Sequence, residues 1–331
     1  MAGILKKNSM ESTILSKTGL SVSRLCFGTM TFGGQTDEPT SVQMVDRCLD
    51  AGINFFDTAN VYTGGTSETF LGRALKGRRQ RVILASKVSN KVGDAADQKG
   101  LSRAAIRRGI DESLKRLETD YLDLYYMHLP DYETRIEESL AATEELVKEG
   151  KVRHVAQSNY AAWQVTEMQW IAEKNRYQPV VVSQPMYNLL ARGIEAEFLP
   201  MSKEFGIANV VYNPLAGGLL TGKHSAAEPI QGSRFDKNKM YLDRYWHDDD
   251  FSAVEAVREI SKQSGRSMVS LALCWLLHHT AIECVILGAS KLEQLDENLA
   301  AAKEGPLDQE TLDALDKVWI RLRGVTPKYN R

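Results

Sequence analysis

The chain has 331 residues, of which 43% are hydrophobic and 25% charged, and its formal net charge is −2. That composition supports a full-sized globular core. The near-neutral balance supplies no global field for recruiting nucleic acid, so a phosphate-bearing ligand would need a local cluster of basic side chains. The most apolar run, "VSLALCWLL", is too short to span a bilayer. The N-terminal "MAGILKKNSMESTILSK" shows no signal peptide. Cys26, Cys48, Cys274 and Cys284 form no C-x-x-C pair and mostly sit in apolar segments. Buried thiols in a reducing, cytoplasmic setting are expected.

In chain order, "STILSKTGLSVS" reads as a small hairpin with a turn at Thr18-Gly19. Eight short apolar runs follow: "RLCFGT" (24–29), "INFFDTA" (53–59), "VILASKV" (82–88) and "LDLYYMH" (122–128), then "HVAQSN" (154–159), "VVVSQP" (180–185), "NVVYNP" (209–214) and "CVILGAS" (284–290). They lack strict alternation, which suits parallel strands buried on both faces. Amphipathic segments lie between them. Ile106, Ile110, Leu114 and Leu117 recur at helical steps, as do Ile136, Leu140, Thr143 and Val147. "SETFLGRAL" opens with Ser67 as a capping residue, and "SKLEQLDENLAAAKEG" closes on Gly305 as a C-cap. Residues 215–250 form a long irregular connection, and 309–322 an additional helix. No Pro/Gly/Ser-rich linker divides the chain. The expected architecture is one domain over 1–331: an α/β, (β/α)8 TIM barrel with an N-terminal β-hairpin, a long loop after strand seven and an extra C-terminal helix.

In such barrels the active site lies at the C-terminal strand ends. Those ends hold Gly28, Thr29, Asp57, Lys87, His128, Ser158, Asn159, Gln184, Asn213 and Gly288. Taken singly, Asp57 reads equally as a loop anchor, His128 as a core histidine and Tyr62 as an ordinary barrel-loop tyrosine. Together they carry a chemistry. A phenol titrates near ~10, too high for efficient proton transfer at neutral pH. A lysine cation beside it is expected to stabilise the phenolate and lower that value. Asp57 is expected to pair with Lys87, since a buried unpaired ammonium is costly. His128 is expected to orient a substrate carbonyl. The hydride must come from a cofactor.

"NPLAGGLLTGKH" at 213–224 spells most of a phosphate-binding P-loop, with His224 where the hydroxyl residue belongs. A nucleotidase also requires a helix there, and "HSAAEPIQGS" does not read as one. No G-x-G-x-x-G precedes a ribose-binding acid. The histidines show no H-x-x-x-H, and His278 and His279 point to different helix faces, so no metal site is expected.

The runs "GTMTFGG", "FFDTANVY", "ASKV", "HLPD", "GKVRHVAQSNY", "SQPMYN", "YNPLAGGLLTGK" and "ILGASKLEQLDENL" resemble the aldo-keto reductase family in order and spacing along nearly the whole chain. The resemblance implies a catalytic tetrad at Asp57, Tyr62, Lys87 and His128, and an extended NADPH/NADP+ across the barrel mouth. It places Ser158, Asn159 and Gln184 on the nicotinamide amide and Tyr212 on its ring. Thr29, Met30 and Asp57 are further cofactor contacts that the resemblance implies. Asn213, Pro214, Leu215, Gly217 and Lys223 match the loop over the pyrophosphate, with Arg234 as a second phosphate contact. Gly288, Ser290, Gln294, Glu297 and Asn298 match the adenosine end. Many members carry arginine where Ser290 stands, and Lys291, Lys223 and Arg234 are left to supply charge. Lys223 and Arg234 read otherwise as solvated loop charges.

Within the family, "HLPDYETRIEESL", "SNYAAWQVTEM", "YLDRYW", "NLAAAKEGPL" and the terminal "YNR" resemble the aflatoxin aldehyde reductase group, which also reduces succinic semialdehyde. That resemblance places Arg244 and Arg331 on a substrate carboxylate, which the planar guanidinium meets with two hydrogen bonds; Arg331 reads equally as a frayed terminus. Trp246, Tyr62, Met30 and Trp163 are candidates for an apolar wall, Trp163 reading more readily as helix packing. The resemblance implies a small carbonyl substrate and a homodimer, with no nucleic-acid or membrane partner. The alternative is an NADPH-binding regulatory subunit resembling potassium-channel β subunits.

Overall fold

The computed structural model describes residues 10–325. A two-stranded antiparallel hairpin comes first, β1 (Ser12–Ile14) with β2 (Ser21–Ser23), turning through Gly19 at φ 70°. Eight strands then close a barrel: β3 (Leu25–Gly28), β4 (Phe55–Asp57), β5 (Ile83–Val88), β6 (Leu122–Met127), β7 (Val152–Ser158), β8 (Val182–Gln184), β9 (Ala208–Val211) and β10 (Cys284–Gly288). Every barrel pairing is parallel, and β10 closes on β3. The expected (β/α)8 architecture is what the chain forms; six strands lie inside their apolar runs, while β7 begins at Val152 and β9 at Ala208, just ahead of theirs.

Two cores follow from the strand alternation of side chains. One residue parity points inward: Cys26, Phe55, Ala85, Leu124, Tyr126, Ala156, Val182, Val210 and Ile286 fill the barrel, with Leu15 and Val22 of the hairpin packed on them. The other parity faces the helices, as Phe27, Phe56, Leu84, Tyr125, Met127, Val155 and Val211 show. The hairpin therefore belongs to the apolar core of the barrel interior, which leaves the polar chemistry to the C-terminal strand ends.

The helices are α1 (Glu38–Asp50), α2 (Thr66–Ala74), α3 (Arg103–Leu117), α4 (Ile136–Lys148), α5 (Ala162–Asn175), α6 (Phe198–Phe205), α7 (Lys239–Tyr245), α8 (Asp248–Ser264), α9 (Met268–His279), α10 (Leu292–Ala301) and α11 (Gln309–Arg323). Ser102 caps α3 by accepting from Ala105 N, and Ile106, Ile110, Leu117 and Leu140 are buried as their spacing predicts. Two expected caps are elsewhere. Helix α2 starts after Gly65, and Ser67 lies inside it, buried, its hydroxyl bonded to Thr29 and Thr58 instead. Helix α10 ends at Ala301 with Ala302 as its C-cap, short of Gly305. The long connection after β9 is also less irregular than expected, because it contains α7 and a 3-10 turn over Ala216–Thr221. Among the described residues no helix is long and apolar enough to cross a membrane.

At the opposite end from the chemistry, Asp123 is fully buried and accepts from Arg79, Arg153 and the Leu84 amide at 2.7–2.9 Å. The two guanidinium groups sandwich Tyr121 at 4.0 and 4.2 Å. Asp123→Ala removes the carboxylate that, among the described residues, pairs with both cations, and a broken buried pair costs about 3–5 kcal/mol. The expected result is a clearly lower urea midpoint. An unchanged midpoint would refute this account.

Candidate active site

The inward parity that packs the barrel also builds the site. Two residues beyond each apolar inward residue stands a polar one: Asp57 after Phe55, Lys87 after Ala85, His128 after Tyr126, Ser158 after Ala156, Gln184 after Val182. Lys87 is fully buried and Asp57 only 3% exposed. The Lys87 ammonium donates to Asp57 Oδ1, to the Thr58 carbonyl at 2.8 Å and to the Tyr62 hydroxyl at 3.3 Å. Its three protons thus have three acceptors. Asp57 uses its second oxygen to accept from Gln184 Nε2 at 2.9 Å. The His128 ring lies edge-on to Tyr62, with centroids 5.9 Å apart. Tyr62 reaches this cluster from a turn after β4 in which Thr63, Gly64 and Gly65 all take positive φ.

Burial opposes the charge on Lys87, yet Asp57 and Tyr62 more than offset it, and the ammonium is held above its ordinary value. Tyr62 corrects the sequence-based expectation. Burial raises the phenol, and the lowering by Lys87 does not overcome it, so the hydroxyl titrates above the usual tyrosine value. The physical reason is that desolvation of the phenolate outweighs one cation that Asp57 already partly neutralises. Burial, aided by the Lys87 charge, pushes His128 down to about 3, which leaves a neutral imidazole at physiological pH.

Around this cluster runs a band of polar residues tied to one another. Ser158 Oγ donates to the Gln184 carbonyl at 2.8 Å, and Asn159 Nδ2 donates to Ser158 Oγ and to the His128 carbonyl, both at 2.9 Å. The Tyr212 hydroxyl donates to Asn159 Oδ1 at 2.7 Å. Thr29 does not open onto the mouth: it is fully buried, with its hydroxyl bonded to Ser67. The glycine-rich loop also differs from a nest of free amides. Gly217 N donates to Asn213 Oδ1 at 2.7 Å, Gly218 N to the Leu215 carbonyl and Gly222 N to the Leu219 carbonyl. Pro214 is buried, Leu215 half-buried. The side chain of Lys223 is exposed, and His224 packs edge-on to Phe235 and Trp246. No helix follows the loop until α7.

Two contacts cross from the loop after β3 to the segment before α7. Gln35 Nε2 donates to the Gly232 carbonyl at 2.7 Å, and Arg234 lies 3.5 Å from Met30 Sδ while donating to the Tyr241 hydroxyl at 3.0 Å. At the β10 end, Ser290 N and Oγ both donate to Gln294 Oε1. Gly288 and Glu297 are exposed and Asn298 is buried. Ser290 borders an opening of about 450 Å³ shared with Gly33, Gln35, Thr36, Asp37 and Phe70, whose lining holds no lysine or arginine.

A profile of the aldo/keto reductase family matches residues 24–320. The chain belongs to the aldo/keto reductase family. It is 39% identical over 330 residues to an uncharacterized oxidoreductase of Bacillus subtilis, covering 96% of this chain and 99% of that one. It is 38% identical over 324 residues to the human aflatoxin B1 aldehyde reductase member 2, covering 92% and 88%. It is 35% identical over 317 residues to a rice protein described as a probable voltage-gated potassium channel subunit beta, covering 93% and 96%. As an aldo/keto reductase the chain is an oxidoreductase.

Arg244 of α7 stacks over Tyr241 at 5.6 Å. Burial raises the nearby Tyr212 phenol, and Arg244 opposes that shift. Among the described residues Lys223, Arg234 and Arg244 have no carboxylate partner. Arg331 lies outside the described residues. Trp246 packs among Phe235, Phe251 and His224. Trp163 is 66% exposed, so neither a wall nor helix packing describes it; Met30 is exposed beside Arg234. Sequence reasoning missed Gln35, Tyr241 and Asn90. Glutamine, tyrosine and asparagine are common in barrel loops, and only their partners across space distinguish these three.

Proposed function

We propose that this chain reduces aldehydes to alcohols with NADPH, using Tyr62 as the proton donor. The observation that carries the reading is the buried Lys87 ammonium, held by Asp57 on one side and directed at the Tyr62 hydroxyl on the other. Bound NADPH supplies the hydride, which side chains cannot. As the carbonyl oxygen gains negative charge, Tyr62 passes its proton to that oxygen. Lys87 stabilises the phenolate left behind, and Asp57 keeps the lysine charged. Neutral His128 donates a hydrogen bond that orients the carbonyl.

The residues present suit the cofactor. Ser158, Asn159 and Gln184 offer amide and hydroxyl groups for the carboxamide, and Tyr212 offers a ring at the same place. Lys223 and Arg234, without carboxylate partners among the described residues, suit the phosphates. Asn213, Pro214, Leu215 and Gly217 shape the loop that would cover them, and Ser290, Gln294, Glu297 and Asn298 meet the adenosine end, where the N-terminus of α10 favours an anion. The buried free thiols Cys26, Cys48, Cys274 and Cys284 suit a cytoplasmic setting. A homodimer belongs to the same reading, and sedimentation tests it.

Arg244 supports a carboxylate-bearing substrate such as succinic semialdehyde. The test is loss of NADPH absorbance with succinic semialdehyde against uncharged aromatic aldehydes. Arg244→Ala is expected to raise KM for the former about 10- to 100-fold, the worth of a charge-assisted hydrogen bond, and to spare the latter. Equal effects on both would remove Arg244 from the substrate site. The similarity to the rice probable channel subunit keeps a second reading, a regulatory NADPH-binding subunit. Absence of turnover with 4-nitrobenzaldehyde in soluble, cofactor-bound protein would favour it.

A further inference from the structure

Asn90 lies in the loop after β5, three residues past Lys87. Ser89 before it adopts φ 140°, uncommon for a residue with a side chain. That turn is held from two directions. The Ser89 carbonyl accepts from Gly100 N at 2.7 Å, and Ser89 Oγ donates to the Leu129 carbonyl at 3.0 Å. The neighbouring His128 N donates to the Val88 carbonyl at 2.8 Å. Asn90 and His128 are thereby fixed side by side, with Asn90 Nδ2 2.8 Å from His128 Nδ1. An amide nitrogen only donates, so Nδ1 accepts and the ring proton resides on Nε2.

We infer that Asn90 is the positioning residue that holds His128 as the neutral Nε2–H tautomer. The imidazole then presents a donor, rather than a lone pair, to a carbonyl oxygen. The same contact opposes protonation. An imidazolium would turn Nδ1 into a donor facing Asn90 Nδ2, two donors and no acceptor, until the amide turned over to present Oδ1. The charged and titratable groups around the ring are Lys87 of β5 and Tyr62 after β4; the lysine also disfavours a second cation. Asn159 reaches His128 only at its backbone carbonyl.

The role in catalysis rests on the carbonyl-reduction reading, whereas the tautomer is measurable without it. The experiment is long-range nitrogen–proton NMR of the full chain labelled in histidine, free and with NADP+, the His128 signals assigned by His128→Gln. The wild type is expected to show the Nε2–H pattern unchanged from about pH 5 to about pH 8. In Asn90→Asp a carboxylate accepts from Nδ1–H, so the ring is expected to shift to the Nδ1–H or imidazolium form at neutral pH. Aldehyde reduction by this variant should fall about 100-fold in kcat, with the Kd for NADPH unchanged. Asn90→Ala should give a mixture of tautomers. An Nδ1–H pattern in the wild type would overturn the inference, as would an Nε2–H pattern persisting in both variants. Failure of the wild type to reduce any aldehyde would count against the proposed function and leave the tautomer result standing.

Discussion

Tyr62→Phe is expected to lower kcat for NADPH-dependent aldehyde reduction by about 10²- to 10⁴-fold, the usual contribution of a positioned proton donor. Affinity for NADPH should be retained, because the phenol ring stays and only the hydroxyl is removed. Stopped-flow turnover together with fluorescence titration of NADPH separates the two. Full activity in Tyr62→Phe would show that the proton comes from elsewhere. The pH dependence has a definite sign. With Tyr62 as the proposed proton donor, reduction needs the protonated phenol, and burial raises Tyr62 above its ordinary value. The wild-type rate should therefore hold through neutrality and fall only above the ordinary tyrosine range near ~10. His128, held at about 3, should produce no break near neutrality.

Lys87→Met should have two effects that a second substitution separates. The phenolate loses its cation, and kcat is expected to fall about 10²- to 10³-fold. Asp57 is meanwhile left buried without its ammonium, which costs about 3–5 kcal/mol of stability. Adding Asp57→Asn to Lys87→Met removes the stranded charge. The double variant should recover most of the lost stability in a denaturant melt while remaining inactive. Recovery of activity along with stability would mean that the pair serves only the fold. A single variant as stable as the wild type would mean that Lys87 and Asp57 are not the coupled buried pair described above.

Much of this was legible before the structure. The apolar runs at 24–29, 53–59, 82–88 and their successors mark all eight barrel strands, because a strand covered on both faces needs nearly continuous apolar sequence. Asp57, Lys87, His128, Ser158 and Gln184, two residues beyond inward apolar positions, then fall at the strand ends by alternation alone; Thr29, which ends the first run, is instead buried. Caps were less legible. Ser67 satisfies a capping pattern, yet its hydroxyl is bonded to the Thr29 carbonyl and to Thr58. Local pattern identifies a residue able to cap, while the competing acceptor arrives from another strand. Gly217 is similar. Its spacing suggests an amide open to phosphate, and the structure gives that amide to the Asn213 side chain.

The sequence by itself determined the strand set, the inward parity of Asp57, Lys87 and His128, and the residue types a tyrosine-centred proton transfer requires. These depend on local periodicity and on side-chain chemistry, both written residue by residue. Only the tertiary structure decided which partners those groups keep. Gln184 meets Asp57 from 127 positions away, Arg234 meets Met30 from 204, and Asn90 meets His128 from 38. It also decided the direction of the Tyr62 shift. Desolvation and charge act through distance in space, so the balance between burial and the Lys87 cation exists only once the barrel has closed.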